Sequence, residues 1–149
     1  MVLFLCSTGL AQGSAKVVKR SPGEQVYRIK KGASAPVRFL LDIESGYHIN
    51  SNRPADKNLI ATALKLERAT GLASTAVVYP KPKVRKFQFS PKPLSVYEGR
   101  VELRFNVRAL PAAATGQQLL RGKLTVQACN EEACLRPSTV DVEIPIEVF

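Results

Sequence analysis

Two cysteines with four residues between them, Cys129-Asn130-Glu131-Glu132-Ala133-Cys134, are the residues of this chain best suited to do chemistry. Apart from Cys6 near the start, they are its only cysteines. Two thiols kept in one tight loop make either a local clip or a redox switch. The intervening residues allow a turn that sets both cysteines at adjacent hairpin positions. There the roughly 5.5–6 Å Cα separation that disulfides favour is within reach. Closing so short a loop restricts the unfolded chain little, for a stabilisation of about 2 kcal/mol. Glu131 and Glu132 flank the thiols, and neighbouring carboxylates disfavour a thiolate. The reduced pair is then a reluctant nucleophile, while the oxidised pair is an electrophile open to another protein's thiolate. Spacing alone leaves both readings open and favours the clip, because cysteine pairs in exported proteins are mostly structural.

Other chemistries find little support. One histidine, His48, and two cysteines fall short of a four-ligand zinc site, so no metal is expected. His48 lies far from both cysteines in sequence, so spacing reveals no Cys–His nucleophile pair, and there is no hydrolytic constellation. Tyr47 and His48 read as structural residues. The net charge of +10 allows attraction to acidic partners, but the basic residues are scattered. Their modest cluster at Lys81, Lys83, Arg85 and Lys86 has no nucleic-acid motif beside it, and a soluble basic surface is the favoured reading.

The ends bound the rest. Residues 1–11 are apolar and uncharged, and Gly9-Leu10-Ala11 fits a signal-peptidase site, although a basic leading region is missing. Export is expected. Acylation of Cys6 is disfavoured because Leu5 stands where a small residue is needed. Residues 12–23 form a polar lead-in, and 24–149 the folded domain. With 45% hydrophobic residues in a 149-residue chain, one real core is possible without disulfides.

The elements that must position the cysteines have mostly a period of two. Val26 to Ile29 reads as a strand. Val37 to Ile43 reads as one buried on both faces, since it is nearly continuously apolar. Asp42 to Asn52 reads as a loop, Leu59 to Leu66 and Ala76 to Tyr79 as strands. Arg100 to Arg108 is the clearest strand, with Val101, Leu103, Phe105 and Val107 on one face. Leu119 to Ala128 and Val140 to Val148 follow. Alternation along the first of these sends Leu124, Val126 and Ala128 to the core, and so puts Cys129 on the polar side unless a bulge intervenes. Eight or nine short strands without a long helix predict an all-β protein, an antiparallel β-sandwich.

Val126-Gln127-Ala128-Cys129-Asn130-Glu131-Glu132-Ala133-Cys134-Leu135-Arg136-Pro137 resembles the cysteine segment of the N-terminal domain of DsbD, the thiol:disulfide interchange protein. Gly46-Tyr47-His48-Ile49-Asn50-Ser51-Asn52 is similar to that family's early Gly-aromatic-His-Ile-x-Ser segment, and Val96-Tyr97-Glu98-Gly99 to another of its stretches. The resemblance implies an immunoglobulin-like sandwich in the bacterial periplasm, a monomer that needs no cofactor and binds no nucleic acid. It implies that Cys129 and Cys134 are a redox pair, with Cys134 forming the mixed disulfides. The pair would take reducing equivalents from a membrane electron donor. It would pass them to thioredoxin-like proteins, of the disulfide-isomerase or cytochrome-maturation reductase type, as a protein-disulfide reductase component. The family's cap loop matches Phe87 to Leu94, which makes Phe89 the candidate shield of the disulfide. Pro91 and Pro93 depart from the usual pattern there, and Phe87 and Phe89 read equally as core strand residues. The alternative function is an exported immunoglobulin-like binding module whose Cys129–Cys134 bond only pins a hairpin.

Overall fold

Alternating burial organises almost every strand of the computed structural model, which describes residues 13–21 and 25–149. The expected signal segment 1–11, with Cys6, lies outside the described residues. After a 3-10 turn at Ser14–Lys16 come β1 (Val18–Arg20), β2 (Tyr27–Ile29), β3 (Ser34–Ile43), β4 (His48–Asn50), β5 (Ala63–Leu66) and β6 (Leu72–Ser74). Then follow β7 (Lys83–Arg85), β8 (Leu94–Tyr97), β9 (Arg100–Ala109), β10 (Gly116–Val126), β11 (Ala128–Cys129) and β12 (Ser138–Val148). The first sheet has the order β1-β3-β9-β6, and the second β2-β12-β10-β5. A third, β11-β4-β8-β7, carries the cysteine segment. Among the described residues every strand pairing is antiparallel except β2 with β12, which is parallel. The architecture is the expected immunoglobulin-like β-sandwich.

The first two sheets bury their inner faces in one core. Phe39 of β3, Leu103 of β9, Leu120 of β10 and Ile144 and Ile146 of β12 are all at most 2% exposed. Removing each such side chain from water stabilises the fold by roughly 1.5–3 kcal/mol. The Tyr27 hydroxyl clasps the two sheets together, donating to the Arg38 carbonyl at 3.0 Å and accepting from the Arg38 amide at 3.2 Å. On β9 the buried set is Val101, Leu103, Phe105, Val107 and Ala109, as the alternation requires.

Three departures from the sequence reading matter. β3 is buried on one face only: Arg38 is exposed, and Leu40 and Asp42 are half-buried. Its outer face is kept wet by ion pairs of Arg38 with Glu102 and of Asp42 with Arg100. The stretch Ala76 to Tyr79 is no strand but a single bridge, in which the Val78 and Arg104 amides and carbonyls exchange bonds of 2.7 and 3.0 Å. Within the expected loop Asp42 to Asn52, residues His48–Asn50 form β4, a wholly buried strand between β11 and β8. Its polar residues misled the reading, because much of the hydrogen bonding of Asn50 is met inside the protein. Asn50 Nδ2 donates to the Ile60 carbonyl and to Gln127 Oε1, and Thr62 Oγ1 donates to the Asn50 carbonyl at 2.6 Å.

Candidate functional site

The strand register breaks at Gln127, and that break builds the site. β10 ends at Val126 in the second sheet, and β11 resumes at Ala128 in the third. Gln127 holds the crossing, its Oε1 accepting from Asn50 Nδ2 at 3.0 Å and the Ile60 amide at 3.1 Å. Alternation is lost across the break, so Ala128 and Cys129 are both buried. Cys129 therefore lies in the interior, at 0% exposure, and not on the polar side of its strand.

Cys129 and Cys134 are joined by a disulfide, with their Cα atoms 3.9 Å apart. The separation is shorter than the expected range because the two are direct partners across a hairpin. Flanking bonds run from the Asn130 amide to the Ala133 carbonyl at 2.9 Å and from the Leu135 amide to the Ala128 carbonyl at 2.8 Å. That frame defines a non-hydrogen-bonded pair, the closer of the two antiparallel pair types. Asn130 shapes the turn: its Oδ1 accepts from the amides of Glu132 and Ala133, each at 2.8 Å. An asparagine placed there is a turn former that can be read from sequence.

The two ends of the disulfide differ. Cys129 is sealed in the core, whereas Cys134 is exposed. The N-terminal lead-in supports the buried end. Ser14, itself 0% exposed, donates its hydroxyl to the Arg136 carbonyl at 2.7 Å and accepts from the Ala128 amide at 2.8 Å. Spacing had no means of finding this, because Ser14 and the hairpin lie at opposite ends of the chain.

His48 on β4 is the direct cross-strand partner of Cys129. It is 2% exposed, and its Nε2 has no hydrogen-bond partner among the described residues. Burial pushes it from the usual 6.5 to about 4; Glu98 opposes that shift and Arg85 adds to it. The ring stacks on Phe87 at 4.0 Å and lies 6.3 Å from Phe89, with Phe87 and Phe89 5.5 Å apart. Phe87 is buried with Leu94 and Val96 in a small second core, and half-buried Phe89 packs against it. Neither phenylalanine is in a strand. The structure thus sets Phe89 beside His48, one strand from Cys129. The sequence reading gave His48 a structural role only; its juxtaposition with Cys129 and the aromatic loop comes from strand pairing.

Charges around the hairpin are more balanced than the sequence suggests. Glu131 faces the Arg85 guanidinium at 3.6 Å, and Arg85 also binds Glu98. The same guanidinium lies 5.4 Å from the centroid of Phe87. The carboxylate of Glu131, expected to oppose a thiolate, is therefore partly offset by a cation. Arg85, Glu98, Glu131 and His48 wall a cleft of about 440 Å³ that also touches the turn Glu44 to Tyr47. Among the described residues no group of three or more histidines, cysteines and carboxylates is disposed to hold a metal.

With this geometry in place, likenesses to known proteins can be weighed. The family model for the N-terminal domain of the thiol:disulfide interchange protein DsbD matches residues 18–145. Among solved structures, the DsbD N-terminal domain of Neisseria meningitidis in the reduced form is 19% identical. That similarity covers 76% of this chain and 79% of that one, with a TM-score of 0.49. The N-terminal periplasmic domain of ScsB from Proteus mirabilis is 11% identical, over 86% of this chain and 46% of that one, with a TM-score of 0.50. At that identity the ScsB likeness speaks for the fold alone. No curated protein matches the chain.

Proposed function

The chain belongs to the family of the N-terminal domain of the thiol:disulfide interchange protein DsbD, and on that premise we propose that it is a periplasmic thiol–disulfide exchange module. It relays reducing equivalents through Cys129 and Cys134 to thioredoxin-like proteins. The observation that carries the reading is the split across the disulfide, with Cys134 exposed and Cys129 fully buried. An incoming thiolate meets only the exposed end, and access decides which sulfur is attacked. A donor thiolate attacks Cys134 Sγ, the Cys129–Cys134 bond breaks, and Cys129 leaves with the electron pair. The donor's second thiol then displaces Cys134, leaving the module as a dithiol and the donor oxidised. In the second half, Cys134 attacks the disulfide of an oxidised acceptor, and Cys129 closes on Cys134 to release the acceptor reduced.

Phe89 belongs to this reading as the shield of the site. Its stacking beside His48, one strand from Cys129, supports a loop that shields the buried end of the disulfide. The hairpin already has its own backbone frame and Asn130 turn, so a structural clip alone would add little to it.

The test is the reduction potential of the Cys129–Cys134 bond, read by equilibrating the domain in graded thiol buffers and counting alkylated cysteines by mass. Exchange proteins lie at roughly −120 to −270 mV, and a value in that window is expected. A value below about −300 mV would identify a locked structural clip and end the exchange reading.

A further inference from the structure

We infer that His48 is the proton acceptor for the Cys129 thiol when Cys129 closes on Cys134 to release a bound partner. This rests on the exchange reading above. Cys129 and His48 are direct partners on neighbouring antiparallel strands, so their side chains leave the same face of the sheet. Both are buried, at 0% and 2% exposure. Burial disfavours the thiolate of an attacking cysteine, so a thiol sealed in the core needs a base within the core. The only histidine of the chain is there. In the oxidised state its Nε2 is buried without a partner among the described residues, which is unfavourable and calls for an explanation. Reduction supplies one, since it creates a thiol donor directly across the strand pair.

The charged groups facing the ring are Glu98 at the end of β8, Lys83 and Arg85 of β7, Glu131 of the cysteine turn and Glu44 of the turn before β4. Arg85 pairs with both Glu98 and Glu131. Burial leaves the imidazole neutral near pH 7, and a proton passed to it from the thiol makes an imidazolium–thiolate pair whose mutual attraction offsets the burial that disfavours either charge alone. In the closing step the Cys129 thiol gives its proton to His48, and the thiolate attacks Cys134 Sγ of the mixed disulfide. The Cys129–Cys134 bond forms, the bond from Cys134 to the partner breaks, and the partner leaves as a thiolate. His48 then returns the proton to that thiolate. The module ends as a disulfide, and the acceptor, a thioredoxin-like disulfide at the start, ends as a dithiol.

The test follows the reduced domain mixed with oxidised glutathione, quenched with acid at intervals and weighed by mass spectrometry. The glutathione adduct forms by attack of Cys134 and disappears when Cys129 closes the ring. In His48→Gln the adduct is expected to form at the wild-type rate and to persist on the order of 10²-fold longer near neutral pH. The gap should narrow as the pH approaches the roughly 8.5 of a free thiol, where the thiol ionises without help. An unchanged adduct lifetime and pH profile in His48→Gln would overturn the inference and leave the exchange reading intact. A wild-type domain that forms neither the adduct nor the Cys129–Cys134 disulfide refutes both. Should the variant not fold, the ring nitrogen chemical shifts of His48 in the wild type decide the matter. They should move between the oxidised and reduced forms, and identical shifts would overturn the inference.

Discussion

Acidifying the oxidised protein is expected to weaken it through His48 before any carboxylate contributes much. Among the described residues the buried imidazole has no partner for Nε2, and burial takes it from 6.5 to about 4. An unfolded chain therefore takes up this proton at a higher pH than the folded one does. The stability that comes with a neutral His48 is whole above pH 6.5, declines as the pH falls, and is gone below about 4. At about 1.36 kcal/mol per pH unit, the loss over that interval is about 3 kcal/mol. That is a large share of the roughly 5–15 kcal/mol that holds a typical domain together. Asp42 and Glu102 are held below their ordinary values by hydrogen bonds from Arg100 and Arg38, so their contribution fails only at the acid end of the interval and below it. Urea unfolding followed by far-UV circular dichroism, repeated at steps between about pH 7 and 4.5, reads the effect as a falling midpoint. His48→Phe keeps an aromatic ring for Phe87 to stack on and removes the titration, so its midpoint should stay nearly level. A flat wild-type profile over this range, or an equal decline in His48→Phe, would refute the reasoning.

Ser14→Ala strands the buried Ala128 amide and is expected to cost about 1–3 kcal/mol, with the first rise in amide exchange at Ala128 beside the disulfide. Wild-type exchange there would show that the lead-in does not support the hairpin. Gly71→Ala should destabilise more than Gly32→Ala. Both glycines have positive φ, but a Cβ at Gly71 would lie 2.8 Å from the Ala113 backbone, whereas one at Gly32 meets nothing within 4 Å. Thermal melts of the two variants measure the difference, and equal melting temperatures would contradict it. Replacing both Cys129 and Cys134 with serine should leave the circular dichroism spectrum intact and lower stability by about 2 kcal/mol, while abolishing reduction of an oxidised thioredoxin-like acceptor of the disulfide-isomerase type. Transfer that survives the double substitution would remove the sulfurs from the mechanism.

β9 and β12 were legible because each strand's alternation is written in its own residues, and one buried face suffices to reveal it. The cysteine pair and its Asn130 turn were legible for the same reason, as was the resemblance that named their family. β4 was not, since Asn50 and the adjoining Ser51 look like loop residues until Gln127, Ile60 and Ser95 supply their partners. β3 was overread, because an apolar run does not say whether a second layer will cover its outer face.

The sequence by itself determined the all-β class, the two thiols and the short loop between them, all properties of neighbouring residues. Only the tertiary structure decided that Cys129 is sealed while Cys134 is exposed, that Glu131 meets Arg85, and that His48 lies across from Cys129 beneath Phe87. Those facts depend on where β10 breaks at Gln127 and on which distant strand receives β11. A strand's period fixes which side chains share a face. Its partner is selected by the combined burial and hydrogen bonding of segments far apart in the chain, and that selection has no local signature.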